Sequence, residues 1–92
     1  MSYCRTTLFE YQTEEDANEL FAQYQANAST NFPDAEVLLC TSIGRKSAVM
    51  TSLYASKEKA DLAMAARKPL LDDVKAKIKN IDTHEGEASQ LR

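Results

Sequence analysis

One histidine, one strand-borne arginine and three of the four tyrosines are the side chains with the most to offer chemically. His84 is the only group whose ordinary pKa lies near neutrality, which makes it the natural general acid or base. Arg5 sits among apolar and aromatic neighbours, where its planar guanidinium would anchor a carboxylate or an enolate through paired donors. Tyr11, Tyr24 and Tyr54 can line a pocket and present hydroxyls to an oxygenated ligand. Each also has a plainer account. A lone histidine on a polar strand is commonly a solvated surface group, and Arg5 can close a cross-strand ion pair with Glu85 or Glu87. Tyrosines at strand or helix spacing are often core residues with a hydrogen-bonded tip. Met50 and Met64 read as core fillers, and Lys75, Lys77 and Lys79 with Asp72 and Asp73 as a solvated helix face.

Cys4 and Cys40 are the only cysteines. Without C-x-x-C spacing they form neither a zinc site nor a disulfide framework, and they read as small buried hydrophobes in a reducing compartment. No metal and no cofactor is expected. The net charge of −3, from eleven basic and fourteen acidic side chains, disfavours a surface that tracks phosphates. The N-terminus lacks a charged-then-apolar leader and no apolar run approaches a membrane span, so a cytoplasmic protein without membrane contact is expected.

The elements that must position these groups are legible from pattern. Residues 3–11, YCRTTLFEY, alternate as a strand and mix aromatics with threonines. Parity puts Tyr3, Arg5, Thr7, Phe9 and Tyr11 on one face and Cys4, Thr6, Leu8 and Glu10 on the other. Thr13 is an N-cap candidate with an acidic residue three positions on. A helix follows from Glu14 to Ala28, with Ala17, Leu20, Phe21, Tyr24 and Ala28 on one stripe. Asn27, Asn31 and Pro33 weaken and then stop it.

Glu36–Ser42 and Ser47–Ala55 read as a hairpin, with Gly44 supplying the backbone freedom of its turn. Ser56 then caps a helix over Lys57–Lys79, whose stripe is Ala60, Ala63, Met64, Arg67, Leu71, Val74 and Ile78. Pro69 predicts a kink or break near Arg67-Lys68. Ile81–Ser89 is a closing strand, and the tail at 90–92 is expected to be loose.

The order β-α-β-β-α-β over residues 1–92 makes one α+β domain of the ferredoxin-like type. Short connections and right-handed crossovers leave a four-stranded antiparallel sheet, order 4-1-3-2, with both helices on one face. Whether His84 shares a face with Arg5 depends on the register of the last strand against the first. The helix-free face is expected to carry Thr, Val, Leu, Tyr or Phe from each strand, and such a face needs a cover. A second copy of the chain is the simplest one, so the chain is expected to pair with itself through that face. RNA-recognition motifs share this element order, but Arg45-Lys46-Ser47-Ala48-Val49-Met50 lacks their aromatic third-strand signature, and nucleic acid is not an expected partner.

With this order, Tyr54-Ala55-Ser56-Lys57-Glu58-Lys59-Ala60-Asp61 and the late Glu85-Gly86-Glu87 are the residues that carry a family likeness. The chain resembles the dimeric α+β barrel superfamily, in particular its antibiotic-biosynthesis-monooxygenase-like branch. Such proteins often run from a central strand into a helix of the form Tyr-x-Ser-x-x-x-Ala and carry a Gly-Glu pair in the last strand. The resemblance implies a homodimer whose sheets face each other, with ligand held between each sheet and its own helices. It also implies cofactor-independent monooxygenase-like or isomerase-like chemistry. The chain has no Trp, which the quinone monooxygenases and haem-degrading members use. Its one histidine lies in the last strand, not on the second helix where haem degraders carry theirs. The expected function is binding of a small, largely apolar, oxygenated molecule, with His84 and Arg5 as proton-transfer and anchoring groups and the three tyrosines around the ligand. The alternative is a non-catalytic binding or structural dimer of the same fold.

Overall fold

A computed structural model describes residues 2–89 and 91. The order is β1 (Ser2–Tyr11), α1 (Glu14–Asn31), β2 (Ala35–Gly44), β3 (Ser47–Tyr54), α2 (Lys57–Val74), a single 3-10 turn (Lys75–Lys77) and β4 (Ile78–Ala88). The sheet is antiparallel, ordered β2-β3-β1-β4, which is the expected order.

Both helix starts follow from their caps. Thr13 Oγ1 accepts from the Asp16 N–H at 3.0 Å and Ser56 Oγ from the Lys59 N–H at 3.3 Å, each satisfying one N–H that the first turn leaves orphaned. Three acidic residues in the first turn of α1 add favourable charge at its positive end.

The ends depart from expectation. Helix α1 runs on to Asn31. Asn27 lies inside it, its side-chain amide donating to the Gln23 carbonyl at 3.0 Å, and Pro33 stops it. Helix α2 is continuous through Pro69 to Val74, so the expected break at Arg67-Lys68 does not form. Pro69 and Ala65, whose carbonyl loses its partner, are both exposed, and water can satisfy that carbonyl. The helix ends instead in the 3-10 turn, and β4 begins at Ile78, three residues earlier than Ile81.

Gly44 is not the turn residue expected. The two-residue turn is Arg45-Lys46, no glycine has positive φ, and Gly44 ends β2 beside a register shift opposite Ser47. Of the tail, Gln90 and Arg92 lie outside the described residues, and Leu91 is exposed.

The core fills the space between sheet and helices in two clusters. One joins Tyr3, Tyr54, Ala60 and Ala63; the other joins Phe9, Tyr11, Leu20 and Ala48, with Cys40, Met50, Leu71 and Val74 packed against it. Between them on β1 sit Arg5 and Thr7, the buried polar residues, at 3% and 2% exposure. A small domain that spends its central strand positions on a cation and a hydroxyl gives up apolar burial, so this polar seam requires an explanation. The cysteines are free and half-buried. Cys40 faces the helices, and Cys4, opposite Leu53, faces away from them.

Candidate ligand-binding site

Strand parity settles which groups meet. Arg5 pairs with Glu85 across β1 and β4 and with Ser52 across β1 and β3, all on the helix-facing side. Arg5 Nε donates to Glu85 Oε2 at 2.9 Å and its Nη2 to the Ala60 carbonyl at 2.9 Å. Its guanidinium carbon lies 5.9 Å from the Tyr54 ring centroid, within cation–π range. Tyr3 Oη adds a hydrogen bond to Glu85 Oε1 at 3.1 Å. The hydrogen bond from Arg5 comes first among the causes that hold the Glu85 carboxyl below its ordinary range; burial opposes it and the bond from Tyr3 assists. Burial, then Glu85, pushes the Tyr3 phenol up. Tyr54, Ala60 and Glu85, which carry the family likeness, are thus the residues that tie Arg5 between β3, α2 and β4. The ion-pair account of Arg5 is the one the geometry contains.

A second arginine, Arg67 of α2, reaches the same seam without such partners. Its Nη1 donates to Thr7 Oγ1 at 3.0 Å and its Nη2 to Thr83 Oγ1 at 3.4 Å, and its buried Nε has no hydrogen-bond partner among the described residues. Thr83 lies opposite Thr7 in the register. Both partners are neutral hydroxyls, and no carboxylate among the described residues forms an ion pair with Arg67. Burial, and next the positive charge of Arg5, lowers its pKa, although a guanidinium stays charged in protein interiors. An orphaned buried N–H costs about 1–3 kcal/mol. Two guanidiniums against the one Glu85 carboxylate leave the seam with one positive charge in excess.

Arg67 also forms part of the wall of a cavity of about 240 Å³ between α1, α2 and the sheet. Most of its lining is apolar or aromatic: Phe9, Leu20, Tyr24, Phe32, Met50 and Leu71 among others, with Asp73 as its one carboxylate. A smaller cavity of about 30 Å³ shares Tyr24, Met50 and Arg67 in its wall and adds Arg5, Thr7 and Tyr54. Tyr11 and Tyr24 line the larger space. Burial, then the neighbouring Cys40, pushes both phenols up to about 12, so at neutral pH they are hydrogen-bond donors and not bases. Burial likewise raises the Cys40 thiol.

His84 is the exception among the expected site residues. It pairs with Thr6, on the opposite face of the sheet; its side chain is 75% exposed and its Nε2 lies 3.0 Å from Asp82 Oδ2. Tyr11 and Tyr24 line the cavity of about 240 Å³, Arg5, Tyr24 and Tyr54 the one of about 30 Å³, and His84 lines neither, because one residue along a strand reverses the face. A cleft chemistry using His84 as its base is thereby corrected. Arg67, Thr7 and Thr83 were not singled out from sequence, though a signal was present: Arg67 is the one cation in an otherwise apolar helix stripe. Among the described residues, no group of three His, Cys, Asp or Glu side chains is placed to hold a metal ion.

The helix-free face carries Leu8 of β1, Val49 and Leu53 of β3, and Val37 and Leu39 of β2. Leu8, Val37 and Leu39 are 38%, 40% and 54% exposed, so apolar side chains interleaved with threonines face solvent on this side of the sheet. Among the described residues, no helix is long and apolar enough to cross a membrane.

No protein-family model matches the chain, and no curated protein matches it by sequence. Solved structures do match it over nearly its whole length. A protein from Chloroflexus aurantiacus provisionally assigned as an antibiotic biosynthesis monooxygenase superimposes with a TM-score of 0.79 at 11% identity, covering 100% of this chain and 97% of that one. A similarly assigned protein from Caulobacter crescentus gives 0.76 at 14% identity, covering 97% and 91%. A dimeric ferredoxin-like protein from an uncultured marine organism gives 0.75 at 9% identity, covering 99% and 92%. The expected likeness to this structural group therefore holds for the fold.

Proposed function

We propose that the chain is a homodimer that binds a small, largely apolar, oxygenated molecule between its two helices and its sheet. The observation that carries this reading is the cavity of about 240 Å³, apolar over most of its lining, with a counter-ion-free guanidinium in its wall. Ligand sites are characteristically concave and mostly apolar, with a few placed polar groups. The volume lies just below the ~300–1,000 Å³ of drug-sized sites, so the ligand is compact. Dimerisation is supported by the apolar sheet face and by the dimeric protein among the structural neighbours. In this arrangement His84, on the open face, belongs to the dimer interface and not to the ligand.

Native mass spectrometry of protein purified from its own host tests both halves together. The expected spectrum shows twice the chain mass of 10.3 kDa with a retained small molecule. Leu39→Asp should shift it to the monomer by burying an unpaired charge at the interface. An unliganded monomer from the unaltered chain would refute the proposal.

A second reading, monooxygenation of a phenolic or enolic ligand without metal or flavin, is favoured by the description of the structural neighbours. It requires a group that takes a proton from the ligand. With His84 on the other face, Asp73 is the carboxylate in the cavity wall. Oxygen uptake on adding a naphthol, lost in Asp73→Asn, would support this reading. Ligand binding without uptake would leave the non-catalytic reading standing.

A further inference from the structure

We infer that the cleft selects a monoanion: a carboxylate, or an ionised phenol or enol, carried on a compact flat or short-chain apolar body, with Arg67 as the group that reads the charge. The inference rests on the binding site proposed above and names the class of ligand it takes.

The two arginines of the seam are in opposite states. Arg5 is paired: Glu85 neutralises it, the Ala60 carbonyl takes a second N–H, and Tyr54 lies within cation–π reach. Arg67 has two neutral acceptors, an orphaned Nε and no carboxylate bonded to it, and it lines both the cavity of about 240 Å³ and that of about 30 Å³. A guanidinium at the boundary of a mostly apolar space is poorly hydrated and strongly attracts an anion, because charge-assisted hydrogen bonds are roughly twice as strong as neutral ones. The excess is one positive charge, so one negative charge completes it. A dianion would leave a charge unpaired in an apolar cavity, which is costly.

The phenols reinforce the choice. Tyr11 and Tyr24 remain protonated at neutral pH and so add donors to the wall without negative charge of their own. Asp73, the one carboxylate of the wall, is exposed and forms no ion pair with Arg67. It does not supply the missing anion, and it adds repulsion against a second ligand carboxylate.

Calorimetric titration of the full-length protein with naphthoate, and separately with naphthamide, tests the inference with two probes of one shape and different charge. At neutral pH and moderate salt, naphthoate should bind about tenfold tighter or more. That preference should disappear in Arg67→Met, survive in part in Arg67→Lys, and be unchanged in His84→Gln. Equal binding of the two probes, or a preference that survives Arg67→Met, overturns the anion assignment and leaves the cleft standing as a binding site. Binding of neither probe, to a protein shown folded by its circular dichroism, overturns the cleft as a ligand site and the anion assignment with it.

Discussion

Arg67 should be dispensable for folding, and the substitution pair Thr7→Val/Arg67→Met tests this. Removing Arg67 alone strands the fully buried Thr7 hydroxyl, whereas replacing both partners with apolar groups of similar shape leaves no orphan. On the favourable side stands the Nε that has no partner, about 1–3 kcal/mol, together with relief of the repulsion from Arg5. On the unfavourable side stands one good hydrogen bond from a cation, about 1.5–3 kcal/mol, and a marginal one to Thr83 at 3.4 Å. Thr83 is on an edge strand and half-buried, so its hydroxyl can return to water. The terms nearly cancel, and the double variant should lie within about 1 kcal/mol of the parent, either way. In a domain this small that is a change of no more than roughly 4–8 °C in melting temperature. Arg5→Met should behave very differently. It leaves the partly exposed Glu85 carboxylate with Tyr3 as its remaining donor and removes the charge-assisted bonds from a nearly fully buried guanidinium, and should cost about 1.5–3 kcal/mol. Urea unfolding at one fixed protein concentration measures all three proteins, the fixed concentration being required because the stability of the proposed dimer would depend on it. If the double variant loses as much as Arg5→Met, Arg67 is structural and its unpaired guanidinium is no sign of a ligand.

Two further outcomes follow from the same contacts. Glu85→Gln keeps the shape but removes the charge facing Arg5, so it should destabilise by about 1–2 kcal/mol at neutral pH, discounted for the partial exposure of Glu85. Because the folded-state pKa of Glu85 is depressed, its contribution is full above the ordinary carboxylate value and is lost as pH falls through the depressed one. The gap between the two proteins should therefore close in acid; a gap that persists unchanged at low pH would contradict the assignment. Gly44→Ala should be neutral or stabilising by up to about 1 kcal/mol, since its φ is not positive and an added Cβ would meet nothing closer than Ser47 Cβ at 3.8 Å. A loss of hairpin stability in thermal melts would show that the glycine is needed after all.

Much of this fold was legible because local signals and topology agree. Thr13 and Ser56 cap where their spacing says they should, strand parity separated Arg5 from Cys4 correctly, and the sheet order follows from connection rules. The misses have physical causes. Pro69 lies where its lost hydrogen bond faces water, so tertiary packing of α2 overrides the local penalty. Gly44 was expected to supply the turn's backbone freedom from its residue type alone, while the turn closed on Arg45-Lys46 with Gly44 at ordinary φ. His84 was misplaced because its face depends on a register that a sequence cannot fix, and one residue decides it. Arg67 stood in plain view on an apolar stripe, but a long cation at such a position usually snorkels to water. Only the location of Thr7 and Thr83 shows that its head turns inward.

The Arg67 guanidinium is the proposed anchor of the ligand. The most direct measurement is the nitrogen–proton NMR cross-peak of Arg67 Nε, assigned by its absence in Arg67→Lys. On titration with naphthoate this peak should move and its exchange with water should slow, while naphthamide leaves it in place. A peak that stays fixed under naphthoate, while the His84 ring signals on the opposite face shift, would place the site on the wrong side of the sheet.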